Sequence, residues 1–143
     1  MTVINRSALL PYSAQQLFEL VNDVEAYPGY MDGCVGASVL SHSEGVMEAR
    51  LDLARGGIRQ SFATRNVLNP PNAIVLELID GPFERFGGRW EFLALDAAAC
   101  KMTLDLEFSV NSKVLGAAAT KLFDRVTNNL VDAVCKRAGQ LYG

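Results

Sequence analysis

The stretch Lys101-Met102-Thr103-Leu104-Asp105-Leu106-Glu107-Phe108-Ser109-Val110-Asn111-Ser112 changes its period at its end, and that change decides the fold. Met102, Leu104, Leu106, Phe108 and Val110 alternate with Thr103, Asp105, Glu107 and Ser109, the pattern of a strand with one apolar and one wet face. After Asn111 the apolar positions recur at helical spacing: Leu115, Ala118, Ala119, Leu122, Phe123, Val126, Val131, Val134, Cys135 and Ala138. The expected helix runs from Lys113 to about Gln140, with Asn111 or Ser112 as its cap and Gly139 and Gly143 at its frayed end. About 28 residues of helix span roughly 42 Å. A helix that long, apolar over a wide face, needs a broad sheet to lie on.

Working back toward the N-terminus supplies that sheet. Met47, Ala49, Leu51 and Leu53 alternate with Glu48, Arg50 and Asp52, and after Gly56-Gly57 the alternation resumes over Ile58 to Arg65. Asn69-Pro70-Pro71-Asn72 and Asp80-Gly81-Pro82 punctuate a run over Ala73 to Ile79 and a strand holding Phe86, Gly88, Trp90 and Phe92. Connections this short favour an antiparallel meander. Val3 to Leu9 forms a first strand, ended by Pro11-Tyr12. Ser13 then starts a helix with Gln16 three positions on, a capping box before Leu17, Phe18, Leu20, Val21 and Val24. Glu25 to Gly33 is expected as a broken helical turn or loop, with Pro28 biasing Tyr27 away from the helical region. The order strand, helix, five or so antiparallel strands and long helix predicts an α+β fold, a curved antiparallel β-sheet gripping a long C-terminal α-helix, as one domain over 1–143.

Composition narrows the chemistry. The chain has 143 residues, half of them apolar, with a net charge of -3. Cys34, Cys100 and Cys135 are scattered and odd in number, against both a disulfide framework and a zinc site. His42 is the only histidine, in a run Ser41 to Glu44 that reads as a turn, so neither a triad nor a His-rich metal site fits within one copy. The first residues lack a signal-peptide pattern and no apolar stretch reaches about 20 residues, which points to a cytoplasmic protein.

A curved sheet and a long helix cannot close along their whole length, so an apolar cavity is expected between them. Its expected lining is Leu51, Phe62, Leu76, Trp90 and Phe92, then Leu104 and Leu106 from the late strand, and Leu115, Leu122 and Phe123 from the helix. Leu53, Leu78 and Phe108 share those faces. Tyr27, Tyr30 and Met31 are expected at its mouth. Gly87 and Gly88 either leave room for a ligand or mark a bulge. Asp105 and Glu107 share the wet strand face, and no acid–base or nucleophilic constellation emerges; no catalytic residue, metal or catalytic cofactor is expected. Residues 112–143 carry five basic side chains, Lys113, Lys121, Arg125, Lys136 and Arg137, against Asp124 and Asp132. That face is either ordinarily solvated or approaches an acidic surface, membrane headgroups or RNA; DNA is not an expected partner.

The segment Arg6 to Pro28, above all Val21-Asn22-Asp23-Val24-Glu25-Ala26-Tyr27-Pro28, resembles the opening of the coenzyme Q-binding, START-like (SRPBCC) proteins of the polyketide cyclase/dehydrase and lipid transport superfamily, a group that includes bacterial ribosome association toxins. The likeness continues through Cys34, Thr64-Arg65-Asn66, Asp80-Gly81-Pro82-Phe83, Trp90-Glu91-Phe92 and the final helix. Where members commonly carry an apolar residue and proline before the cysteine, this chain has Met31-Asp32-Gly33. The resemblance implies a helix-grip domain enclosing a hydrophobic cavity. It implies ubiquinone or a related polyprenyl lipid as ligand, carried in support of respiratory electron transport, with peripheral contact to the inner membrane through the region of the long helix. The alternative it implies is a toxin that binds the large ribosomal subunit and hinders subunit joining. The cyclase activity of the wider superfamily finds no acid–base pair here.

Overall fold

The computed structural model describes the backbone of residues 1–143 and every side chain except those of Ser112, Val114 and Leu115. Seven strands, β1 (Thr2–Leu10), β2 (Cys34–Ser43), β3 (Val46–Arg55), β4 (Ile58–Asn69), β5 (Ala73–Asp80), β6 (Phe83–Asp96) and β7 (Ala99–Val110), form one sheet. Its order is β1-β7-β6-β5-β4-β3-β2, antiparallel throughout. Strands β2 to β7 are the expected meander, and β1 returns to lie beside β7.

The first two strands occupy opposite edges, so the chain between them must cross the sheet. It does so as helix α1 (Ala14–Asn22) and a 3-10 helix, Val24–Gly29. The capping box starts α1: the Gln16 backbone N–H donates to Ser13 Oγ at 3.1 Å and the Ser13 backbone N–H donates to Gln16 Oε1 at 2.9 Å. Leu17, Phe18, Leu20 and Val21 are buried on one stripe, and Phe18 meets Phe92 edge-on at 5.8 Å. Tyr27 was expected outside helical conformation, yet it lies within the 3-10 helix. Its hydroxyl donates to the Val21 carbonyl, an anchor that outweighs the local bias imposed by Pro28.

Two further expectations are corrected. Of the turn expected over Ser41 to Glu44 only Glu44 turns, with Gly45: Ser41, His42 and Ser43 belong to edge strand β2, with His42 opposite Met47, and the meander therefore has six strands rather than five or so. The C-terminal helix α2 (Ser112–Tyr142) is broken at Gly116, whose φ of 78° and ψ of 175° are not helical. Glycine alone takes that left-handed φ without strain. Asn111 sits at the N-cap position without a side-chain hydrogen bond to the helix, and the C-terminal end runs through Gly139 to Tyr142.

Beyond Gly116, α2 crosses the concave face. It packs against β1 and β7 on one side and β3 and β4 on the other, which leaves it standing off the middle of the sheet. Thr2 donates to Asp124 at 2.6 Å, and Arg6 pairs with Asp132 at 3.5 Å, fastening the helix to the β1 edge. The core joins α1, the inner sheet face and α2 through Leu17, Ile74, Met102, Phe108 and Val134, each at most 2 % exposed.

Gly88 is neither a bulge nor ligand room. It pairs in register with Leu106, and a Cβ placed on it lies 2.5 Å from the Asp105 carbonyl oxygen and 2.8 Å from Leu106 Cδ1. Gly87 has open space around it. Gly88→Ala is therefore expected to cost about 1–3 kcal/mol, as overpacking does, and Gly87→Ala far less. Urea denaturation of the two variants checks this contrast.

Candidate functional site

Between α2 and the concave sheet face lies a cavity whose empty space, counted out through its opening, is about 770 Å³. Strands β3 and β4 contribute Leu51, Leu53, Phe62, Thr64 and Asn66; β5 and β6 contribute Leu76, Phe83, Phe86 and Trp90. Leu104, Leu106 and Phe108 of β7 form the floor, and Phe123, Val126, Thr127 and Leu130 of α2 form the roof. Leu51, Phe62, Leu76, Phe83, Phe86, Thr127 and Leu130 are only half-buried, whereas Trp90, Leu104, Leu106 and Phe108 are fully buried. The cavity thus has a deep end at β7 and opens on the β3–β6 side of the helix. Phe62, Phe83, Phe86 and Phe123 form an aromatic cluster there, with Phe83 4.8 Å from Phe123 and 5.1 Å from Phe86 between ring centres.

Of the residues expected in the lining, Leu51, Phe62, Leu76, Trp90, Leu104, Leu106 and Phe123 are brought together, as are Leu53 and Phe108. Phe92 is not in the wall. It lies on the correct sheet face but under α1, against Phe18, and stacked beside Trp90 at 6.3 Å. Leu122 is buried on the flank of α2, one residue and about 100° of helix turn away from Phe123. Leu78 is half-buried outside the lining. The expectation for Leu115 falls outside the described side chains.

The expected mouth divides. Tyr27 and Met31 are buried and form part of the cavity wall itself, while Tyr30 lines a separate shallow cleft with Glu19, Asp23, Arg137 and Tyr142. Asp32 pairs with Arg55 at 2.8 Å, and Gly33 at φ 90° brings the loop against Val126, where a Cβ would come within 2.8 Å. A left-handed glycine, not a proline, thus shapes this turn.

Chemically the wall is almost inert. Among the described residues it presents no carboxylate, amine, guanidinium, imidazole or thiol. Tyr27 is the sole titratable group in it, and burial pushes its hydroxyl well above the ordinary tyrosine value, so it stays neutral. Burial likewise raises the Cys34, Cys100 and Cys135 thiols, which keeps them protonated and weakly nucleophilic. Asn66 is the buried polar residue of the wall, and no periodicity argument singles it out.

The expected basic face is smaller than its five residues. Lys121, Arg125 and Lys136 are exposed on the side of α2 opposite Phe123. Arg137 is half-buried with its guanidinium 5.4 Å above the Tyr30 ring, and Lys113 precedes the break at Gly116. The two acids of the helix are drawn to β1 by Thr2 and Arg6.

Residues 10–135 match the family described as polyketide cyclase/dehydrase and lipid transport. The chain belongs to that family. A relative in Pseudomonas aeruginosa, the ribosome association toxin RatA, is 49% identical over 142 residues, 99% of each chain. The mitochondrial coenzyme Q-binding protein COQ10 homolog B of Xenopus laevis is 26% identical over 143 residues, covering 97% of this chain and 59% of that protein. A START superfamily protein of Mycobacterium smegmatis superposes with a TM-score of 0.80 at 25% identity, covering 97% of this chain and 98% of that one. The START-like helix-grip fold expected from the sequence is thus the observed one. No helix among the described residues is long and apolar enough to cross a membrane.

Proposed function

We propose that this member of the polyketide cyclase/dehydrase and lipid transport family is a carrier that holds an apolar ligand, a quinone with a polyprenyl tail or a lipid like it, in the cavity under α2. The observation that carries this reading is the wall itself: aromatic and aliphatic side chains around a preformed space, with no group suited to moving a proton or attacking a carbonyl. It is the composition of a holder and not of a cyclase. The enclosed part of the cavity is small and continuous with the open space outside it, so only part of a ligand is held within. A long tail then leaves through the opening beside Phe86 and Leu130. Organic extraction of the gently purified protein followed by mass spectrometry tests the reading; a stoichiometric quinone or prenyl lipid is expected. A protein that is empty and takes up no added quinone would falsify it.

A second reading, association with the large ribosomal subunit, is favoured by the 49% identity to the relative named as a ribosome association toxin. It would use the outer face of α2 and leave the cavity free for the ligand. Three phosphate contacts, from Lys121, Arg125 and Lys136, would weaken binding roughly 20- to 40-fold between 50 and 200 mM salt. Cosedimentation with purified 50S particles is expected to show that slope and to be lost when all three are changed to glutamate. Binding that ignores both salt and the triple change excludes this face.

A further inference from the structure

Among the described residues the cavity wall contains four with polar side chains, Tyr27, Thr64, Asn66 and Thr127, each with hydrogen bonds to account for. Tyr27 donates its hydroxyl proton to the Val21 carbonyl. Thr127 donates to the Phe123 carbonyl at 2.8 Å, turning back onto its own helix. Thr64 donates to Asn66 Oδ1 at 2.8 Å. Every hydroxyl proton in the wall is therefore engaged. Asn66, only 6% exposed, has its side-chain carbonyl held by Thr64, and among the described residues no acceptor meets its amide N–H groups, which are not sealed in the interior. Phe62, Thr64 and Asn66 follow one another on the inner face of β4, and Leu76 lies across from Asn66 on β5. Two strong donors thus stand in an apolar wall, where leaving a donor without a partner is costly.

From this we infer that Asn66 is the polar anchor of the cavity and selects a neutral ligand carrying a carbonyl oxygen. The inference rests on the carrier reading above and deepens it. A carbonyl supplies the missing acceptor. A carboxylate or phosphate would also accept, but no cation in the wall neutralises it, and a buried unpaired charge is far more unfavourable than an unmet amide. Thr64 acts as a positioning residue: by holding Oδ1 it turns the Nδ2 side of the amide toward the ligand space.

Calorimetric titration with three probes that each carry a ten-carbon chain tests this: 2-decyl-1,4-benzoquinone, decylbenzene and decanoate. The expected result is that the quinone binds about tenfold more tightly than decylbenzene, the value of one hydrogen bond made in an apolar site, and that decanoate binds more weakly than the quinone. Asn66→Leu is expected to abolish the tenfold preference while leaving decylbenzene affinity within about twofold. A preserved quinone preference in Asn66→Leu overturns the anchor, and decanoate binding as tight as the quinone overturns the selection for neutral ligands. Decylbenzene and quinone binding equally to the wild type removes the anchor alone. Neither of them binding removes the carrier reading, and the anchor with it. Asn66→Asp, similar in size, covers the case in which the leucine variant does not fold. Its ionised carboxylate has no proton to donate, so the quinone preference is absent at pH 8 and returns as the pH is lowered and the carboxyl regains its proton; a preference independent of pH counts against the anchor.

Discussion

Leu104→Asp is expected to empty the cavity of lipid and to remove about 4 kcal/mol of stability at pH 7.5. Leu104 is 0% exposed at the centre of β7, paired in register with Trp90 on one side and Arg6 on the other, and its side chain forms the deep end of the cavity. Losing the isobutyl group alone costs about 2–5 kcal/mol. The carboxylate adds a charge with no cation in the wall to meet it. Burial holds such a carboxyl above its unfolded value of about 3.9, so the folded state keeps a proton that the unfolded state releases. The stability deficit relative to wild type therefore grows as the pH rises from the unfolded to the folded value. Urea unfolding at pH 4.5 and 7.5 is expected to show the smaller deficit at 4.5. An equal deficit at both, or undiminished lipid in the extracted variant, means that the carboxylate has turned out of the cavity.

Phe123→Ala is expected to cost about 3 kcal/mol, near the lower end for a buried phenylalanine, because one side of its ring already faces open space. Phe123 is 2% exposed and joins α2 to the sheet through Phe83, at 4.8 Å, and Phe62, at 6.0 Å. For a chain of this length the loss corresponds to roughly 6–12 °C in Tm. Phe92→Ala is expected to lower Tm similarly, since Phe92 is as deeply buried, but against Phe18 and away from the cavity. The two variants separate when ligand is added. Phe123→Ala changes the affinity for quinone because the roof is gone, and Phe92→Ala leaves it unchanged. Equal affinities for the two variants would place the ligand away from α2.

The residues show where the sequence was legible. Ser13 and Gln16 announce α1 because a capping box is a contact between near neighbours, and Met102 to Val110 announce β7 because a strand with one buried face must alternate. Strand β2 carries no such mark. It is an edge, exposed along most of its length, with register shifts between Cys34 and Gly36 and between Val39 and Ser41 that scramble the period. Gly116 hides before an alanine run that reads as unbroken helix, and the break separates Lys113 from the other basic residues. Asn66 escaped because a polar residue in an alternating strand looks like an interruption until the sheet shows that it faces inward.

Residue order alone sets which faces are apolar, how many residues each element has to cover them, and hence that a long helix lies across a curved sheet. It also determined that the cavity lacks the histidines and clustered cysteines of a metal or triad site. Which apolar side chains face space and which face each other follows only from how the elements pack. Phe92 and Trp90 share one strand face, yet α1 covers the first while the second borders the cavity. Periodicity reports the direction in which a side chain points from its own element. What stands opposite it depends on where the other elements come to rest, and that is set by packing between residues far apart in the chain.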